Sequence, residues 1–149
     1  MSREFACFAT APTGIEPLLA TELAELGATG PRPARGGVRF QGPLELAYRA
    51  CLWSRTASRV LLPLVEFPVV EAEALYAGIH DFPWEEHLAP DGTLAVEFSG
   101  ACPGIDHGHY GSQRVKDAIV DRFRARCGRR PSVDRQQPDL RIHVLLRDG

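Results

Sequence analysis

From Tyr110 to Pro131 the chain reads YGSQRVKDAIVDRFRARCGRRP. Val115, Ile119, Phe123 and Cys127 step by four, with Ala118 and Val120 beside them, and that spacing puts them on one face of a long helix. Arg114, Arg122 and Arg126 fall on one flank of the stripe. Asp117, Asp121 and Arg124 lie further round, and Arg114 with Asp117 and Asp121 with Arg124 have the i,i+3 spacing that suits ion pairs. An apolar stripe of this length has to be covered, and the segments on either side supply strands to cover it. TLAVEFSG alternates Leu94, Val96 and Phe98 against Thr93, Ala95 and Glu97. DLRIHVLL alternates Leu140, Ile142, Val144 and Leu146 against Arg141, His143 and Leu145. Both read as half-buried strands, with a short helix expected over Glu71 to Ile79 before them.

Earlier in the chain the order is β-α-β-α-β. Phe5 to Thr10 reads as a strand, and TGIE follows with Thr13 and Glu16 in capping-box spacing. Ile15, Leu18, Leu19, Leu23 and Leu26 share a helical face, and Gly27 suits the position just past the helix end. GGVRFQG is a short strand, and Pro43 opens a helix over Leu44 to Trp53. SRVLLPLVEFPV is expected to be a strand, with Pro63 and Pro68 placing it at an edge. With room for one more strand around Arg32 to Arg35, this is the pattern of a small ferredoxin-like unit. Asp148-Gly149, after the last alternating run, is a hairpin signal. The returning strand is expected beyond it, so the sequence reads as the front of a longer protein.

The 149 residues fit one ordinary domain or two small ones. No apolar run approaches the length of a spanning helix, and MSREFACFATAPTG lacks a signal-peptide core. The four cysteines, Cys7, Cys51, Cys102 and Cys127, have no C-x-x-C spacing, which fits free thiols in a cytoplasmic protein. The net charge of −2 conceals an imbalance. Residues 1–100 carry 7 basic and 13 acidic side chains, and residues 101–149 carry 10 basic and 6 acidic. Such an imbalance hints at a polyanion partner for the second half; a solvated helix face with its own counter-charges is the equal alternative.

Several residues are candidates for that contact. Lys116, the one lysine, is read as lying in the first turn of this helix, where the macrodipole disfavours a cation. A phosphate held by the N-terminal N–H groups, Ser112, Gln113, Arg114 and Lys116 would remove the conflict. A packed stem with its amine in water is the competing reading of Lys116. Gly111 would let a backbone approach closely. Arg129, Arg130 and Arg135 lie in a proline-bounded loop suited to phosphates, and Arg55 and Arg59 flank the start of a strand. Trp53, Tyr48 and Phe40 have the chemistry to stack on bases, but their helix and strand contexts favour buried packing.

Other chemistries find no support. Cys102, Asp106, His107 and His109 share the loop ACPGIDHGH without a second ligand pair, so no metal site is expected. No serine or cysteine sits in a nucleophile motif, so no catalytic residue is expected. No G-x-G-x-x-G opens a helix.

The stretches FATAPTGIEPLLATELAELGA, GGVRFQG, LWSRTASRVLLPL, FSG, YGSQRVKDAIVDRF and RPSVDRQQPDLRIHVLL together resemble the N-terminal part of bacterial large-subunit ribosomal RNA guanine-N2 methyltransferases of the RlmL / RlmKL type. In that family a ferredoxin-like segment precedes a THUMP domain. The resemblance runs through Trp53, Ser54, Arg55, Ala57, Ser58 and Arg59, then Tyr110, Gly111 and Val115 to Asp121, then Pro138, Asp139 and Arg141. The loop 101–109 departs from the family. The resemblance implies an α+β fold, with a ferredoxin-like unit over 1–65 and a THUMP RNA-binding domain over 66–149 that is truncated at its C-terminus. It implies a module that binds structured RNA, above all large-subunit ribosomal RNA, for an S-adenosylmethionine-dependent methyltransferase domain of the same parent. The family's amino-methylation signature is absent here, so this chain is expected to hold no cofactor and to transfer no methyl group. Two alternatives stand beside it: a THUMP module of a transfer-RNA-modifying enzyme, and a ferredoxin-like interaction or regulatory domain without RNA.

Overall fold

A computed structural model describes residues 3–147. The chain divides into two compact units, Met1–Glu66 and Phe67–Gly149.

The first unit runs β1 (Glu4–Thr10), α1 (Glu16–Glu25), β2 (Thr29–Ala34), β3 (Gly37–Pro43), α2 (Leu44–Trp53) and β4 (Arg59–Leu61). Its sheet has the order β2-β3-β1-β4 with every pair antiparallel. The two helices cover it, burying Leu19 and Leu23 of α1 and Leu46 and Ala50 of α2 over Ala9, Val38 and Phe40. A fully buried side chain of this kind contributes about 1.5–3 kcal/mol. The order β-α-β-β-α-β is ferredoxin-like, and the room noted around Arg32 to Arg35 is filled by β2. Two details differ from expectation. The residue before α1 is Ile15, without a side-chain cap. Glu16 instead accepts bonds from the Gly14 N–H (2.6 Å) and the Gly36 N–H (3.1 Å), pinning the start of α1 to the β2–β3 turn. Thr13 is therefore no cap. The strand expected over SRVLLPLVEFPV is only three residues long, because Pro63 cannot donate to a ladder and nothing among the described residues pairs beyond it.

The second unit runs α3 (Ala72–Asp81), a 3₁₀ turn (Trp84–Glu86), β5 (Thr93–Ser99), α4 (Gly108–Cys127), β6 (Ser132–Val133) and β7 (Leu140–Leu145). β5 lies between β6 and β7 and is parallel to both. A parallel pair needs a crossover, and α4 supplies it between β5 and β6. Val115, Ala118, Ile119 and Phe123 of α4 are buried with Leu75 and Ile79 of α3 and Leu94 and Ile142 of the sheet. The buried Trp84 indole donates to the Ile79 carbonyl (2.7 Å) and closes the end of α3. In β5, Ala95 is buried along with Leu94, so the alternation read from sequence does not hold there; central parallel strands are commonly apolar on both faces. β6 is too short and polar to show in the sequence. Cys127, placed by spacing on the apolar stripe, is exposed, since α4 ends there. Asp148 and Gly149, which carry the hairpin signal, lie outside the described residues.

Candidate nucleic-acid interface

The flank of α4 that reads as cationic in sequence meets acids of its own unit. Arg122 is buried, and its guanidinium donates Nε to Glu85 Oε2 (2.8 Å), Nη2 to Glu85 Oε1 (2.7 Å) and Nη1 to the His80 carbonyl (2.9 Å). Those bonds hold the Glu85 carboxyl down to about 2 and raise the Arg122 guanidinium. Arg126 adds a looser contact to Glu85 at 3.7 Å. Arg114 lies over the Tyr76 ring, 4.5 Å from its centre, and 3.9 Å from Glu73. The Tyr76 hydroxyl donates to Asp121, which pushes the phenol up, with burial adding to it. Arg114, Arg122 and Arg126 thus join α4 to α3 and the 3₁₀ turn.

The unit boundary changes the charge count accordingly. Residues 67–149 hold 10 basic and 13 acidic side chains, while residues 1–66 hold 7 and 6. A division at residue 100 separates α3 and the 3₁₀ turn from the helix they neutralise. The imbalance that pointed to a polyanion is mostly an internal pairing, and surface charge has to be judged locally.

At its N-terminal end α4 begins at Gly108, with His107 extended before it and providing no side-chain cap. Lys116 is therefore in the third turn, not the first, and pairs with Asp117 at 2.9 Å. The dipole conflict ascribed to it from sequence does not exist, because the helix starts earlier than Tyr110. Ser112 donates back to the His109 carbonyl (2.9 Å), and Gln113 meets the His109 ring (3.3 Å). A Cβ on Gly111 would lie 2.5 Å from the Phe98 ring, and one on Gly108 would lie 3.0 Å from the Phe98 carbonyl. The glycines let α4 close on β5; they do not open a path for an outside backbone. The preceding loop turns on Cys102 and Ile105, which exchange backbone bonds (2.9 and 3.2 Å) around a fully buried Ile105 side chain. Among the described residues no group of three His, Cys, Asp or Glu could hold a metal.

The C-terminal end differs. Gly128 takes the left-handed conformation (φ 69°) and its N–H caps Arg124 (3.1 Å). Arg129, Arg130 and Arg135 follow, all exposed. The Asp134 carboxylate is occupied by the Gln136 and Gln137 N–H groups (3.0 and 3.1 Å), and the Arg135 carbonyl accepts from Arg141 (3.2 Å). The connection is shaped by its own backbone, and its guanidiniums face water. Cations at a helix C-terminus also suit the macrodipole.

In the first unit the Glu22 carboxylate of α1 gathers the turn after α2. It accepts from the Arg55 N–H (3.1 Å to each oxygen), the Thr56 hydroxyl (3.1 Å) and the Ser54 hydroxyl. Burial pushes this carboxyl up, but the bonds together outweigh burial and hold it below the usual range. The Arg55 side chain is exposed, and the Arg59 N–H donates to the Thr10 hydroxyl (3.0 Å). Phe40 is buried as expected, at 2% exposure. Trp53 and Tyr48 are not: they are 64% and 66% exposed, because α2 turns only Leu46 and Ala50 inward.

Comparison with known proteins bears on both units. Residues 6–61 match the family model described as RlmL ferredoxin-like domain, and residues 70–149 match the THUMP domain. The chain belongs to the THUMP family. Its THUMP unit follows a ferredoxin-like unit of the RlmL kind. Over all 149 residues it is 53% identical to "Ribosomal RNA large subunit methyltransferase K/L" of Pseudomonas paraeruginosa, of which it covers 21%. The chain spans about a fifth of the length of the curated relatives it matches. A crystal structure of a predicted N6-adenine-specific DNA methylase from Listeria monocytogenes superposes with a TM-score of 0.81 at 29% identity, covering 98% of this chain and 38% of that one. A putative methyltransferase complexed with SAH gives 0.81 at 28% identity, covering 99% and 40%. No described helix is long and apolar enough to cross a membrane.

Within the THUMP unit the expected contact residues fall into two groups. Ser112, Gln113, Arg114 and Lys116 are near the start of α4, and Arg129, Arg130 and Arg135 are past its end. At 1.5 Å per residue the helix sets them about 20 Å apart, too far to share one phosphate. Arg55 and Arg59 belong to the ferredoxin-like unit. Sequence reasoning missed Glu22, whose role depends on a turn more than thirty residues away, and it set aside Trp53.

Proposed function

We propose that this chain is an RNA-binding module that presents large-subunit ribosomal RNA to an S-adenosylmethionine-dependent guanine-N2 methyltransferase domain of a longer parent protein. The observation that carries the reading is the pair of matches in order, ferredoxin-like then THUMP, in a chain that is a fifth of a relative named as a ribosomal RNA methyltransferase. The geometry supports a modest role for charge. Arg129, Arg130 and Arg135 contact phosphates, because all three are exposed in the connection that follows α4. Arg114 is held on Tyr76 and is excluded from that role, and Lys116 is secondary to it. Recognition is by RNA shape and backbone. The methyl donor and the transferring residues belong to the methyltransferase domain.

The test is fluorescence anisotropy of a labelled ribosomal RNA hairpin with the purified chain, across salt. Affinity falling steeply with salt supports the reading, since released counterions drive such binding. Absence of binding at low salt, or affinity indifferent to salt, contradicts it.

A further inference from the structure

We propose that the turn after α2 is a preorganised contact for an unpaired nucleotide, in which Trp53 stacks on the base, Arg55 pairs with the neighbouring phosphate and Glu22 fixes the turn. This rests on the RNA-binding reading and adds the form of RNA recognised, a single-stranded extension or bulge.

The turn is tied down on both sides. Glu22 accepts from the Ser54 hydroxyl, the Arg55 N–H and the Thr56 hydroxyl. The Ala57 N–H donates to Ser54 Oγ (3.0 Å), the Ser58 N–H to the Thr10 carbonyl (2.7 Å) and the Arg59 N–H to the Thr10 hydroxyl (3.0 Å). Water would satisfy the same donors on an open surface, so the bonds add little net stability. What they provide is a fixed backbone, the property that a recognition loop needs. Two side chains stand out from that backbone. Trp53 is 64% exposed and makes no ring or cation contact among the described residues. Arg55 is exposed two residues on. An exposed indole and an exposed arginine two residues apart on one fixed turn offer no base-edge readout; they offer a stacking surface and a phosphate partner, the two contacts by which proteins hold unpaired nucleotides. A closed duplex presents no base face to it.

Tryptophan fluorescence tests this, because Trp84 is 2% exposed and forms a steady background. Three RNAs are compared: a blunt hairpin, the hairpin with a short single-stranded 3′ extension, and the extended hairpin with abasic sites. The extended hairpin is expected to quench Trp53, and the blunt and abasic forms are not. Trp53→Ala and Arg55→Ala are each expected to lower affinity for the extended hairpin about fivefold or more, on the scale of one stacked base or charged contact, with blunt-hairpin affinity unchanged. Glu22→Ala is expected to lower the quench and the extended-hairpin affinity together while blunt-hairpin affinity holds. A merely structural Glu22 would lower the melting temperature and both affinities alike. If RNA binds but Trp53 is not quenched, or Trp53→Ala binds both hairpins as before, the turn is no nucleotide contact and its exposed ring is left for a protein. If no RNA binds the unaltered chain, the RNA-binding reading itself fails and takes this inference with it.

Discussion

The two ends of α4 carry similar residues to different purposes. Toward its start and middle, each arginine has a partner inside the unit: Arg114 has Tyr76 and Glu73, and Arg122 has Glu85 and the His80 carbonyl. Past its end, Arg129, Arg130 and Arg135 face solvent. The difference follows from what packs nearby. α3 and the 3₁₀ turn lie along the body of the helix and bring Glu73 and Glu85 with them, while the connection beyond Gly128 has left both behind. Charge in a sequence says nothing of its use until its neighbours are known. Arginines of the first group should matter to folding and those of the second to binding.

The largest test of that contrast is Arg122→Met. It leaves Glu85 with only its looser Arg126 contact, and the unit should lose about 2–3 kcal/mol, somewhat below the range for a fully buried pair because Glu85 is 28% exposed. Chemical denaturation measures it, and RNA affinity of the folded protein should be unchanged. Gly111→Ala comes next. Alanine is the better helix former by about 1 kcal/mol, yet its Cβ would press on the Phe98 ring. A net loss of about 1–2 kcal/mol is expected from overpacking. If Gly111 instead served an approaching RNA backbone, stability would rise and binding would fall.

Much of the fold was legible from sequence. The limits of α2 follow from Pro43 and from the turn residues after Trp53, and β7 follows from its alternation. The stripe of α4 followed from its four-residue spacing. Three things were not legible. The start of α4 depends on Gly108 and Gly111 fitting against Phe98, a contact between elements. The pairing of Arg122 with Glu85 spans 37 positions, and no local pattern marks it. The exposure of Trp53 and Tyr48 could not be read from an amphipathic α2, because its apolar residues outnumber the two positions that turn inward. Of the candidate residues, the exposure of Arg129, Arg130 and Arg135 was legible, because it follows from proline-bounded polarity. Lys116 was misplaced: it was read in the first turn of α4, whereas α4 begins at Gly108 and Lys116 is its ninth residue.

Acid provides a smaller test. The folded Glu85 carboxyl titrates at about 2 against an ordinary 4.5, a lowered value. Its contribution is fully present above about pH 4.5 and is lost as pH falls toward about 2. Thermal melts across that window should show Glu85→Gln less stable than the unaltered chain at neutral pH and the two converging in acid. A gap that stays constant would mean that the pair contributes no charge-dependent stability. Lys116→Ala should do least. Its ion pair with Asp117 is partly exposed, so a stability change within about 0.5 kcal/mol is expected, with RNA affinity nearly unchanged. A loss of binding of about 1 kcal/mol or more, the scale of a charge-assisted contact, would restore the start of α4 as a phosphate site.

The most direct measurement is the salt dependence of RNA affinity for the chain with Arg129, Arg130 and Arg135 all changed to Ala. If these three carry phosphate contacts, affinity falls at low salt, and the slope of log affinity against log salt becomes shallower by about 2–3, one unit or slightly less for each phosphate no longer neutralised. Folding stability stays as it was. An unchanged slope in a folded triple variant would contradict the account.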